Sequence, residues 1–123
     1  KIKQAVELTA NNTRLTLNVA FNYGGRAEII RAVQQIVQSG VAPDDVSEDL
    51  INAHLYTNGQ PDPDLIVRTG GEMRLSNFMT WQATYAEYYA TTTFWPDFDR
   101  EELRKAIEAY CARDRRFGKV NEA

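Results

Sequence analysis

Residues 61–78 read Pro-Asp-Pro-Asp-Leu-Ile-Val-Arg-Thr-Gly-Gly-Glu-Met-Arg-Leu-Ser-Asn-Phe, and the reading of this stretch decides the fold. Leu65, Ile66 and Val67 form a continuous apolar run with prolines before it and glycines after it. That pattern fits a short strand buried on both faces, as in a parallel sheet. Gly70 and Gly71 supply backbone conformations closed to residues with a side chain and let the chain approach a ligand closely. Arg68 then stands at the carboxyl end of the strand, where open α/β sheets bind ligands, and Arg74 follows just past the turn. A guanidinium stays charged at any working pH and grips phosphate oxygens in a planar, two-pronged way, so a pair of them suits a diphosphate. Ser76 or Asn77 could cap a following helix, whose free amides would add to an anion site. The alternative is a ligand-free strand and turn with solvated arginines, and a glycine-rich turn alone does not decide between the two.

Upstream, Leu15, Leu17, Val19 and Phe21 alternate with Thr16, Asn18, Ala20 and Asn22, which is the period of a strand. Gly24-Gly25 end that run. Ile29, Ile30, Val33, Ile36 and Val37 then share one face of a helix reaching about Gln38, with Gly40 as its stop. Strand, Gly-Gly and helix thus occur twice, and in one parallel sheet both turns would open at the same edge, with Asn22 and Arg26 near the Arg68 turn. Gly24-Gly25 either permit tight strand-to-helix packing or touch a ligand directly. Ile2, Ala5, Val6 and Thr9 give an opening helix that stops near Asn11-Asn12 and has no cap of its own, as expected of a chain cut from a longer one. Ser47, with Glu48 and Asp49 behind it, starts a short helix through about Tyr56.

Downstream, Phe78 to Gln82 predicts a turn or two of helix, and the first part of Tyr85 to Phe94 predicts a strand. Glu87 would share a strand face with Tyr85 and Tyr89, and a buried carboxylate there needs a cation or a strong donor, such as an arginine. Asp99 and Glu102 open a last helix whose apolar stripe is Leu103, Ala106, Ile107, Tyr110 and Cys111, with Cys111 read as core. Arg113, Arg115 and Arg116 follow where the helix dipole favours cations. Three strands with flanking helices would leave a sheet edge that a neighbour must cover.

With 123 residues, 43% hydrophobic and 25% charged, the composition is that of one ordinary globular domain. The net charge of −3 argues against a broad nucleic-acid surface, and the arginines cluster locally in a way that suits a compact anion. One cysteine and one histidine exclude an internal disulfide and a Cys/His zinc site, and His54 reads as structural or solvated. A reducing cytoplasm is compatible with this cysteine usage. No apolar run is long enough to span a bilayer, so any membrane contact would be peripheral.

The stretch Asp62 to Glu72, followed by Arg74-Leu75-Ser76-Asn77-Phe78 and Trp81-Gln82, resembles the signature of the cis-prenyltransferases, the undecaprenyl diphosphate synthase family. Asn18 to Arg26, Tyr85 to Tyr89 with Trp95-Pro96-Asp97-Phe98, and Arg115-Arg116-Phe117-Gly118 resemble further motifs of that family in the same order. Members are much longer and carry an Asp-Gly-Asn-Gly-Arg-Trp type motif in an amino-terminal half. The chain is therefore expected to be a carboxyl-terminal half, one partial α/β domain with a parallel sheet flanked by helices, inactive by itself.

The resemblance implies a cytoplasmic, magnesium-dependent synthase that condenses isopentenyl diphosphate with an allylic diphosphate to give a cis-polyprenyl diphosphate, a precursor of an undecaprenyl-type lipid carrier. It assigns isopentenyl diphosphate to Arg68, Arg74, Leu75 and Ser76, and magnesium to Glu87, in the same chain or in the partner of a homodimer. Arg116 and Gly118 resemble an Arg-x-Gly tail that reaches the partner's diphosphate site. No catalytic residue is expected here, because the essential aspartate belongs to the other half. Met73 departs from relatives that carry a metal-touching histidine there, and a thioether is a poor ligand for a hard ion. The competing expectation is a noncatalytic partner subunit; such subunits tend to lose the Arg-x-x-Gly-Glu-x-Arg cluster that Arg68 to Arg74 keeps whole. A plain structural domain is the third reading.

Overall fold

The computed structural model describes residues 1–113, an α/β arrangement of four α-helices and two strands among those residues. The helices are α1 (Ile2–Thr9), α2 (Gly25–Gln38), α3 (Glu48–His54) and α4 (Arg100–Cys111). The strands are β1 (Leu65–Arg68) and β2 (Glu87–Ala90), with 3-10 turns at Pro43–Asp45 and Trp95–Asp97. β1 and β2 pair in parallel, Leu65 opposite Glu87 and Arg68 opposite Ala90. A parallel pair needs a long crossover, and here residues 69–86 supply it as turns, not as a helix.

Local signals set most boundaries. Ser47 Oγ accepts from Leu50 N at 3.2 Å to start α3, and Asp99 Oδ1 accepts from Glu102 N at 3.0 Å to start α4. Gly40, with φ +74°, ends α2 and donates its N–H to the Val37 carbonyl at 3.2 Å. The helices then pack narrowly: α3 lies on α2 and α4 lies on β2, around Ala32, Ile36, Leu55, Ala83 and Ala106.

Several expectations are corrected. Residues 15–21 do not form a strand: they have no regular secondary structure, Leu15, Leu17, Val19 and Phe21 are all exposed, and the described residues offer them no ladder partner. Alternation fixes which side chains share a face, but a strand exists only where a neighbour takes its backbone hydrogen bonds. The sheet accordingly has two strands among the described residues, not three. Phe78 to Gln82 forms turns instead of helix, because Ser76, Asn77 and Met79 have φ of +50°, +65° and +47°, the wrong hand for helix entry.

The apolar stripe of α2 is wider than its buried face. Gly25, Glu28, Ala32 and Ile36 are buried, whereas Ile30, Val33 and Val37 are exposed. Cys111 is exposed, not core, since α4 buries Ala106 and leaves Leu103 and Ile107 half in solvent. Arg115, Arg116 and Gly118 lie outside the described residues. No helix among the described residues is long and apolar enough to cross a membrane.

Candidate diphosphate site

The arginine turn is fastened to the continuation of β2. Thr91 N donates to the Arg68 carbonyl at 2.9 Å, Gly71 N to the Thr91 carbonyl at 2.8 Å and Gly70 N to the Thr93 carbonyl at 2.9 Å. Gly70 and Gly71 sit at φ +80° and +77°, a hand that costs any other L-residue about 1–2 kcal/mol. Their amides are thus committed to the sheet. The glycines shape the turn, and their backbone donors are taken.

Glu72 occupies the point where the two guanidinium groups meet. Arg68 Nη2 donates to Glu72 Oε2 at 3.0 Å, and Arg74 Nη2 pairs with the same oxygen. The Arg68 hydrogen bond, helped by the charge of Arg74, holds the Glu72 carboxyl below its ordinary range, so it is ionised at neutral pH. Two cations and one anion leave the cluster at +1. All three side chains are more than a third exposed, so as ion pairs they add little stability. Arg68 Nε is buried without a hydrogen-bond partner among the described residues, leaving an N–H still to be used.

Beside the cluster opens a cleft of about 540 Å³, lined by Ile66, Met73, Leu75, Phe78 and Tyr88 together with the two arginines. Its walls are largely apolar and its cations gather at one place. An anionic head on a short hydrocarbon matches that division. Met73 is 84% exposed at this cleft and offers no hard oxygen.

Past Arg74, the chain makes a tight turn closed by Phe78 N donating to the Leu75 carbonyl at 3.1 Å. Ser76 and Asn77 are its central residues, both with positive φ, as in the primed turns that glycine usually occupies. Asparagine tolerates such backbone, but at Ser76 it costs about 1–3 kcal/mol and persists only where the surroundings impose it. They do not cap a following helix. Asn77 caps α2 instead: its Oδ1 accepts from Arg26 N at 2.9 Å, and its carbonyl accepts from Gly25 N at 2.8 Å.

The same junction resolves the open reading of Gly24-Gly25. A Cβ on Gly24 would stand 2.9 Å from Asn77 Nδ2, and one on Gly25 would stand 2.4 Å from Thr80 Oγ1. These glycines serve close packing. Arg26 does reach the neighbourhood of the arginine turn, through its backbone bond to Asn77, although residues 15–21 are not in the sheet.

Two buried polar residues escaped the sequence reading. Glu28 is 1% exposed and Gln82 is 2% exposed. Gln82 Nε2 donates to both Glu28 oxygens at 3.3 and 3.2 Å, Tyr56 N donates to Glu28 Oε1 at 2.6 Å, and the Tyr23 hydroxyl donates to Oε2. Burial first, then the hydrogen bond and charge of Glu28, push the Tyr23 hydroxyl well above its ordinary value, so it remains a donor. The available signal was an acid in register with Ala32 and Ile36 on the buried helix face, i, i+4 and i+8.

Glu87 belongs elsewhere. It stands opposite Leu65, three strand residues and so about 10 Å from the level of Arg68. Arg113 Nη1 donates to its Oε2 at 2.7 Å, which is the arginine partner that a half-buried carboxylate calls for. Magnesium demands near-octahedral oxygen ligands, and no group of three His, Cys, Asp or Glu side chains among the described residues could hold a metal. Glu87, already engaged by Arg113, does not make a magnesium site with these residues alone.

The fold and the turn together give an α/β domain with a parallel strand pair and two arginines meeting on Glu72 at a strand's carboxyl end. A family model described as undecaprenyl diphosphate synthase, of the prenyltransferases, matches residues 1–118. The isoprenyl transferase of Heliobacterium mobile is 52% identical over 124 residues, covering 98% of this chain and 48% of its own length. That of Streptococcus thermophilus is 54% identical over 127 residues, with 97% and 51% covered. Among solved structures, lavandulyl diphosphate synthase from Lavandula x intermedia in complex with dimethylallyl diphosphate superposes with a TM-score of 0.90 at 38% identity, covering 96% of this chain and 52% of that one. The chain belongs to the undecaprenyl diphosphate synthase family of prenyltransferases. It spans about half the length of the curated relatives it matches.

Proposed function

We propose that this chain supplies the isopentenyl diphosphate site of a cis-prenyltransferase, an isoprenyl diphosphate synthase that makes cis-polyprenyl diphosphates. The observation that carries the reading is the meeting of Arg68 and Arg74 on one oxygen, Glu72 Oε2, at the mouth of an apolar cleft. An oxyanion bound there replaces or joins the Glu72 carboxylate, and its hydrocarbon lies along Leu75, Phe78 and Tyr88. Family membership and the dimethylallyl diphosphate held by the lavandulyl diphosphate synthase relative favour a prenyl diphosphate over other compact anions.

In the condensation, a carbon–carbon bond forms between the terminal alkene carbon of isopentenyl diphosphate and C1 of the allylic partner. The allylic C1–O bond breaks, diphosphate leaves, and a proton is lost from isopentenyl C2. Arg68 and Arg74 act on the diphosphate that is retained. Their task is to fix the alkene where attack can occur, converting an encounter into an oriented reaction. Ser76, next in the turn, adds a hydroxyl donor to the same head group.

In the natural protein carrying this sequence, Arg74→Ala should raise the KM for isopentenyl diphosphate about tenfold or more, the scale of one lost charge-assisted contact. Its urea midpoint should hardly move, because Arg74 is two-thirds exposed. An unchanged KM would remove the assignment.

A further inference from the structure

We infer that Asn77 is a positioning residue for the diphosphate site, setting the aim of Arg74 and Ser76 by tying their turn to the first residues of α2. This rests on the reading of Arg68, Arg74 and Ser76 as diphosphate ligands. Asn77 meets α2 in three ways: its carbonyl accepts from Gly25 N at 2.8 Å, its Oδ1 accepts from Arg26 N at 2.9 Å, and its Nδ2 fills the space that a side chain at Gly24 would need. It thereby satisfies two of the amides that a helix start leaves open.

The turn cannot hold its shape unaided. Ser76 takes left-handed backbone beside an equally left-handed Asn77, with no glycine between Arg74 and Phe78, so the conformation at Ser76 must be imposed from outside. The absent side chain at Gly25 lets Thr80 and Asn77 sit against the helix, and Gln82 anchors the following residues to buried Glu28. Leu75, whose carbonyl closes the turn, directly follows Arg74. Relaxation of the turn therefore redirects the guanidinium and the Ser76 hydroxyl together. A neutral asparagine does this without bringing a negative charge beside the two arginines.

The test is steady-state kinetics of Asn77→Gly and Asn77→Ala in the natural protein carrying this sequence, with isopentenyl diphosphate varied and melting temperature recorded in parallel. Asn77→Gly keeps the left-handed backbone accessible and removes only the side-chain cap, so it decides the matter even where Asn77→Ala does not fold. KM for isopentenyl diphosphate should rise about fivefold in Asn77→Gly and about tenfold in Asn77→Ala, with a smaller change in kcat. A KM within twofold of the parent in Asn77→Gly, with only the melting temperature or the active fraction reduced, overturns the inference. The Arg74→Ala control separates the two readings: KM raised there but not in Asn77→Gly defeats this inference alone, and KM unmoved in Arg74→Ala defeats the diphosphate site itself.

Discussion

The chain uses the dipeptide Gly-Gly twice, at 24–25 and at 70–71, for opposite physical reasons. The first pair is a matter of room: neither glycine has positive φ, yet a Cβ at Gly25 would lie 2.4 Å from Thr80 Oγ1, 3.1 Å from Thr80 N and 3.2 Å from the Asn77 carbonyl. The second pair is a matter of conformation: φ is +80° and +77°, and the nearest atom to an added Cβ is 3.8 Å away at Gly70 and 3.9 Å away at Gly71. An identical sequence signal thus joins two elements in one place and bends a single element in the other. Only the surroundings distinguish the cases.

Substitution should pull the two apart. Gly25→Ala is expected to be the most damaging, at about 2–3 kcal/mol from overpacking against backbone as well as side chain. Adding Thr80→Ala should recover part of that loss in a urea-melt double-mutant cycle, and strictly additive effects would break the account of Gly25 as a packing glycine. Gly71→Ala should cost less, about 1 kcal/mol, from left-handed strain alone. Gly71→Asn should cost less again, because asparagine tolerates that backbone, whereas a side chain merely lacking room would make asparagine worse than alanine.

Acidification should have the smallest effect at the second turn. Glu72 has a folded pKa below its ordinary value, so its contribution is present above the unfolded pKa and is lost only as pH falls through the depressed folded one. Chemical-shift titration of Glu72 should therefore show the carboxylate still ionised through the ordinary carboxylate range. A midpoint at or above that range would show that Arg68 and Arg74 do not converge on it in solution.

Legibility follows the same division between local and distant causes. The strand at Leu65 to Val67, half-buried and not buried on both faces as its apolar run suggests, the caps Ser47 and Asp99 and the stop Gly40 are legible because each is set by residues within a turn of itself. The parallel pairing and the place of Arg68 at a strand end followed from that run. Residues 15–21 were misread because their alternation is local while a strand needs a neighbour. Asn77 was read as a cap for the wrong helix because its partner lies 51 residues back in the chain. Cys111 was placed inside because helical spacing does not reveal how narrow the contact of α4 on β2 is. The Arg68–Glu72 pair, by contrast, lies only four residues apart and is within reach of the sequence. Function became legible through motif resemblance, since no periodicity distinguishes a diphosphate clamp from a solvated turn.

The unpaired segment at 15–21 has a consequence for the chain as a material. Leu15-Thr16-Leu17-Asn18-Val19-Ala20-Phe21 carries no charge and no proline, alternates apolar and small or polar residues, and presents its backbone to solvent. Those are the features of a segment whose edge is open to a neighbouring strand. A strand laid along it would take up its backbone hydrogen bonds and cover an edge that otherwise invites pairing with another copy.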